Sequence, residues 1–173
     1  YATLIALYNR EAKKNDDQLI LNRTLYYGLS GDDVKMLQKR LVELGYLTGT
    51  PSGVYDARTE AAVIMFEGAN GMSPTYTYVG YAGQWVADKL NSGSAVSFAA
   101  FSKGSSGNAV LMLQTYLRKL RYLSNTPNGT LDQTTVDALN AFQKINGLSV
   151  TGNADYATLI ALYNREAKKN DDQ

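Results

Sequence analysis

A chain of 173 residues, 45% of them hydrophobic, has enough apolar material for a packed interior, which excludes a disordered polymer. The formal net charge of +1 gives no electrostatic basis for binding nucleic acid or an anionic membrane surface. Cysteine and histidine are both absent, which excludes disulfides, zinc–thiolate centres and the commonest general base.

The first element in the chain is also its last. Tyr1 to Gln18 reads YATLIALYNREAKKNDDQ, and Tyr156 to Gln173 repeats it letter for letter, at an offset of 155 residues. Such self-similarity marks a tandem array. Residues 1–18 therefore read as the third helix of a preceding repeat, with Leu4, Ile5 and Tyr8 on its apolar face. The segment is expected to dock where the same helix docks in the array, or on a neighbouring molecule.

A fainter repeat lies inside the longer one. Gly31 to Gln38 aligns with Gly107 to Gln114 at an offset of 76, and the register holds without a gap to Gly71 and Gly147. In the first helix of each copy, Val34, Leu37, Leu41 and Leu44, and then Val110, Leu113, Leu117 and Leu120, form one helical stripe. Asp32 or Asp33 in the first copy, and Asn108 in the second, are placed to cap these helices. Tyr46-Leu47 and Tyr122-Leu123 follow and should enter the core. Turn residues come next: Thr50-Pro51-Ser52-Gly53, and Thr126-Pro127-Asn128-Gly129.

Asp56 with Thr59, and Asp132 with Thr135, predict a cap and third position for the second helices. These should bury Ala62, Val63 and Phe66, and Ala138, Leu139 and Phe142, and end at Gly71 and Gly147. The third helices differ. In the first copy the loop Ser73 to Gly83 is four residues longer, before Trp85, Val86, Lys89 and Leu90. In the second, Asp155 leads into Tyr156, Leu159, Ile160 and Tyr163, with a polar continuation expected to stay helical to about Asn170. The fold class is all-α: two three-helix units at 19–93 and 94–173, the latter with an extended C-terminal helix, preceded by the helix at 1–18.

Chemistry-bearing constellations are few. There is no phosphate-binding Gly-Lys-Ser/Thr loop, and the paired carboxylates Asp16-Asp17, Asp32-Asp33 and Asp171-Asp172 fall at helix ends. No catalytic residue, cofactor or metal is expected. Aromatic residues are the candidate binding feature, since tyrosine numbers 13. Tyr76, Tyr78 and Tyr81 in the enlarged loop and Trp85 just after it fall within ten residues, and Tyr26 and Tyr27 open the same unit. Flat rings with polar edges suit stacking on sugars. They suit equally the filling of a larger gap, or contact between units.

The run Arg23-Thr24-Leu25, Gly28, Gly31-Asp32-Asp33-Val34, Leu37-Gln38, Leu41 and Leu44-Gly45-Tyr46-Leu47 resembles the opening of the peptidoglycan-binding-domain-like family. The second copy resembles it over Thr135, Ala138-Leu139, Phe142-Gln143, Asn146-Gly147-Leu148, Thr151-Gly152, Ala157-Thr158 and Leu162. One departure is Glu67, which follows Phe66 where the second copy has Gln143. The resemblance implies a small three-helix module of the kind often attached to bacterial cell-wall hydrolases. It implies peptidoglycan or wall glycan as partner, a non-catalytic role, and an extracellular or wall-associated location. With the repeats, it also leaves open a spacer, stalk or fibre built by head-to-tail neighbours, without wall binding. Neither nucleic acid nor membrane insertion is expected.

Overall fold

The computed structural model describes residues 18–171, so the helix expected at 1–18 lies, apart from Gln18, outside the described residues. Six helices occur among them: α1 (Asp32–Glu43), α2 (Ala57–Ala69), α3 (Gln84–Asn91), α4 (Asn108–Lys119), α5 (Gln133–Ile145) and α6 (Tyr156–Tyr163). The all-α expectation of two three-helix units holds. Extended structure among the described residues is confined to isolated bridges: Leu25–Ala82 and Ser30–Val54 in the first unit, Phe101–Ala154 and Ser106–Thr130 in the second.

The predicted stripes are buried except at Leu44, which is half-buried. Val34, Leu37 and Leu41 on α1, and Val110, Leu113 and Leu117 on α4, lie in the core, with Tyr46 and Tyr122 behind them. The starts of these helices differ from expectation. Gly31 and Gly107 occupy the cap positions, and neither helix start has a side-chain cap. Asp32, Asp33 and Asn108 fall inside the first turn instead. Asp33 there accepts from Arg23 Nε at 2.8 Å, which holds its carboxyl below the usual range, and Asn108 Nδ2 donates to the Gly71 carbonyl at 2.8 Å. By contrast, Asp56, Asp132 and Asp155 cap α2, α5 and α6, each accepting the backbone N–H three residues on. Gly71 and Gly147, at φ 97° and 70°, close α2 and α5 in the left-handed conformation. The N–H groups that follow, of Met72 and Leu148, return to the Glu67 and Gln143 carbonyls.

One glutamine device recurs three times. Gln38, Gln114 and Gln143 each accept a glycine N–H (Gly53, Gly129, Gly152) and donate to a threonine hydroxyl (Thr59, Thr135, Thr158) at 2.8–3.0 Å. Each also donates to a loop carbonyl, of Val54, Thr130 or Asn153. The buried amide thus pins the loop to the cap of the following helix, with donors and acceptors matched.

The units do not sit side by side as separate beads. In α5 the buried residues keep to one face, whereas every residue of α2 from Thr59 to Gly68 is buried. The sequence of α2 is apolar nearly all the way round, as expected of a helix enclosed on every side. It packs on α1 of its own unit and on α4 and α6 of the next. Gly68 makes the approach feasible: a Cβ there would stand 3.3 Å from Met112 Cβ and 3.4 Å from Ala109 Cα.

The third helix of the second unit is shorter than expected. It ends at Tyr163, because Asn164 turns to an extended conformation (φ −72°, ψ 144°). Tertiary bonds then claim the polar tail in place of helix bonds. Lys168 N–H donates to Asn146 Oδ1, the Tyr122 hydroxyl to the Lys168 carbonyl, and Asn170 N–H to the Leu120 carbonyl. Arg165 reaches across to the first unit, pairing with Glu60 at 2.6 Å and lying 4.1 Å over the Tyr27 ring.

Candidate functional site

The enlarged loop between α2 and α3 is anchored by a fourth, altered copy of the glutamine device. Val79-Gly80-Tyr81-Ala82-Gly83-Gln84-Trp85-Val86 stands where the second unit has Thr151-Gly152-Asn153-Ala154-Asp155-Tyr156-Ala157-Thr158. Glycine is kept, but the capping Asp is Gly83 and the threonine is Val86. With no hydroxyl to receive a donor, the anchoring side chain is Glu67 rather than glutamine. Its Oε2 accepts the Gly80 N–H at 2.7 Å. Its other oxygen, Oε1, is buried with no hydrogen-bond partner among the described residues. Burial pushes the carboxyl up to about 8, so the neutral acid is the form held at pH 7. The Tyr55 hydroxyl donates to the Gly80 carbonyl at 2.8 Å and fixes the other side of the turn. Burial, then the nearby Glu67 carboxyl, holds that phenol well above its ordinary range.

On this support the loop lays its rings around a cleft of about 480 Å³. Tyr26, Tyr76, Tyr78, Tyr81 and Trp85 line it, with Thr24, Met72, Gln84 and Val86. The rings form a chain of contacts: Tyr26 to Tyr81 at 5.4 Å, Tyr81 to Tyr78 at 5.7 Å and Tyr78 to Tyr76 at 6.3 Å between centroids. Trp85 stands edge-on to the buried Phe66 at 6.4 Å, which ties the cleft wall to the core. Tyr76 and Tyr78 remain 56% and 59% exposed, so their faces are open to a ligand. No charged side chain lines the cleft. Hydroxyls of tyrosine and Thr24 and the amide of Gln84, itself held by Asp88, supply the polar edge.

The structure therefore brings together five of the six aromatic residues singled out in the sequence. Tyr27 is the exception: it carries the Arg165 guanidinium and belongs to the contact between units. The sequence reading did not single out Thr24, Met72 and Gln84, which are ordinary residues of loop and helix start, nor Glu67 as the support. For Glu67 the signal was present, as a glutamate in register with Gln143. The second unit lacks two of these rings, since Asn153 and Ala157 stand where Tyr81 and Trp85 do.

The family model described as "Putative peptidoglycan binding domain" matches residues 30–90 and again 106–162, together well over half of the chain. The chain belongs to this putative peptidoglycan-binding family. Both matched stretches run from just before the first helix of a unit to its third, so the family module coincides with the three-helix unit. No curated protein and no solved structure matches the chain.

Proposed function

We propose that this chain is a non-catalytic wall-attachment module, and that the aromatic cleft of its first unit holds the glycan strand of peptidoglycan. The observation that carries this reading is the lining of the cleft: five rings and no charge. Pyranose rings present apolar C–H faces that stack on tyrosine and tryptophan, while their hydroxyls bond to phenol and amide edges. A cleft without cations suits the uncharged sugar backbone better than the carboxylates of the stem peptides. Attachment of this kind places the protein at the bacterial wall, outside the cell.

The test is co-sedimentation with insoluble peptidoglycan. Tyr76→Ala and Trp85→Ala each remove a half-exposed ring, and each should weaken binding roughly three- to tenfold, at about 0.5–1.5 kcal/mol per ring contact. Unchanged pelleting of the double variant would remove the cleft from the reading. A second observation bears on context. The letter-for-letter recurrence of eighteen residues supports a tandem array, in which 155-residue repeats follow one another as a stalk on the cell surface.

A further inference from the structure

The geometry points to a stiff junction between consecutive 155-residue repeats, in which the exposed side chain of Ile20 is covered by the preceding repeat. This inference rests on the tandem-array reading, but not on the glycan reading.

The two ends of the repeat are both fastened to folded structure. At the trailing end, the chain is pinned as far as Asn170, which is buried and donates its N–H to the Leu120 carbonyl at 2.9 Å. At the leading end, Leu19 is only 2% exposed. Its backbone N–H and carbonyl are both taken by the Asn91 side-chain amide, each at 2.9 Å. Because residues 1–18 equal 156–173, the residue that follows Gln173 in an array is the next repeat's Leu19. Only Asp171, Asp172 and Gln173 then separate two fastened residues.

Four residue steps of fully extended chain span at most about 14 Å. The Leu120–Lys168 edge of one repeat and the Leu19–Asn91 edge of the next must therefore be close neighbours. The second observation is independent of this reach. Ile20, immediately after the fastened Leu19, is 70% exposed, more than any other large apolar side chain among the described residues. An isoleucine so exposed at the point where the next body must arrive fits a contact surface whose occupant is the preceding copy of this chain.

The test uses the chain extended by one further copy of residues 19–173. Absence of cysteine allows Lys35→Cys, at an exposed position on α1, to be placed in both repeats and spin-labelled without background. The expected result is a single narrow distance peak by pulsed electron resonance. Eight Gly/Ser residues inserted after the first Gln173 add a flexible segment of about 15 Å root-mean-square length, and should broaden the peak by a comparable amount. Ile20→Asp in the second repeat alone should broaden it as well. A broad distribution in the uninserted protein, or one that the insertion leaves unchanged, overturns the stiff junction. A narrow peak that survives Ile20→Asp overturns the role of Ile20. A parent gene without further repeats would instead refute the array reading itself.

Discussion

Replacing Glu67 by glutamine should reverse the rank order of stability between acid and alkaline solution. In the fold, burial raises this carboxyl from 4.5 to about 8. The folded state therefore keeps a proton that the unfolded chain gives up. Stability contributed by the neutral acid is fully present below pH 4.5 and is lost as the pH rises through about 8. Over that window the loss amounts to about 1.4 kcal/mol per pH unit, or roughly 5 kcal/mol in total. Glutamine cannot ionise, so it escapes this loss. It does leave two N–H donors without a partner at the Oε1 position, where the neutral acid leaves one O–H, at a cost of about 1–2 kcal/mol. The variant should thus be about 1–2 kcal/mol less stable than the parent near pH 4.5, equal to it near pH 6, and about 3 kcal/mol more stable at pH 9. Urea denaturation of both proteins at these pH values measures the difference directly. A gap that stays constant between pH 4.5 and 9, or one that runs the opposite way, would refute the account of Glu67 as a buried neutral acid.

Gln143→Glu is the reciprocal change, and should import a pH dependence of the same sign into the second unit; urea midpoints at pH 5 and 8 report it. Gln143→Leu should cost about 2–4 kcal/mol at every pH, because the Thr151 and Gly152 N–H groups lose their acceptor. Gly68→Leu should cost about 1–3 kcal/mol by forcing α2 away from Met112 and Ala109, and calorimetry would detect it as a lowered melting temperature. Arg165→Ala should cost less than about 1 kcal/mol, since the guanidinium is half exposed. Its clearer signature is a shift of the Tyr27 ring resonances in the NMR spectrum.

The parts legible in the sequence were those set by local chemistry. The stripe Val34, Leu37, Leu41 needs only helical spacing to be read, and Asp56 with Thr59 needs only the geometry of a helix start. Asp33 and Asn108 misled for the same reason. Asn108 is taken by the Gly71 carbonyl, and Asp33, inside the first turn rather than at the cap, is shared between Arg23 and the Val34 N–H. The tail after Tyr163 reads as helical by composition. It is drawn out of the helix into a turn and irregular chain by Asn146, Tyr122 and Leu120, three residues remote in sequence. The aromatic cluster was visible because three of its rings lie in one loop and Trp85 follows two residues after it. That Tyr27 belongs elsewhere could not be read locally, since Arg165 comes from the other unit.

The enclosure of α2 changes what counts as one piece of this protein. A fragment ending near Ser94 would bare Ile64, Met65 and Gly68, which face Ala109, Leu159 and Tyr163 of the second unit, and should precipitate rather than fold. Loss of either half would expose the faces through which α2 packs on α4 and α6. The pair, and not the single three-helix motif, is then the unit that buries its own core. That constraint gives a physical reason for one half to carry the cleft while the other serves as its foundation.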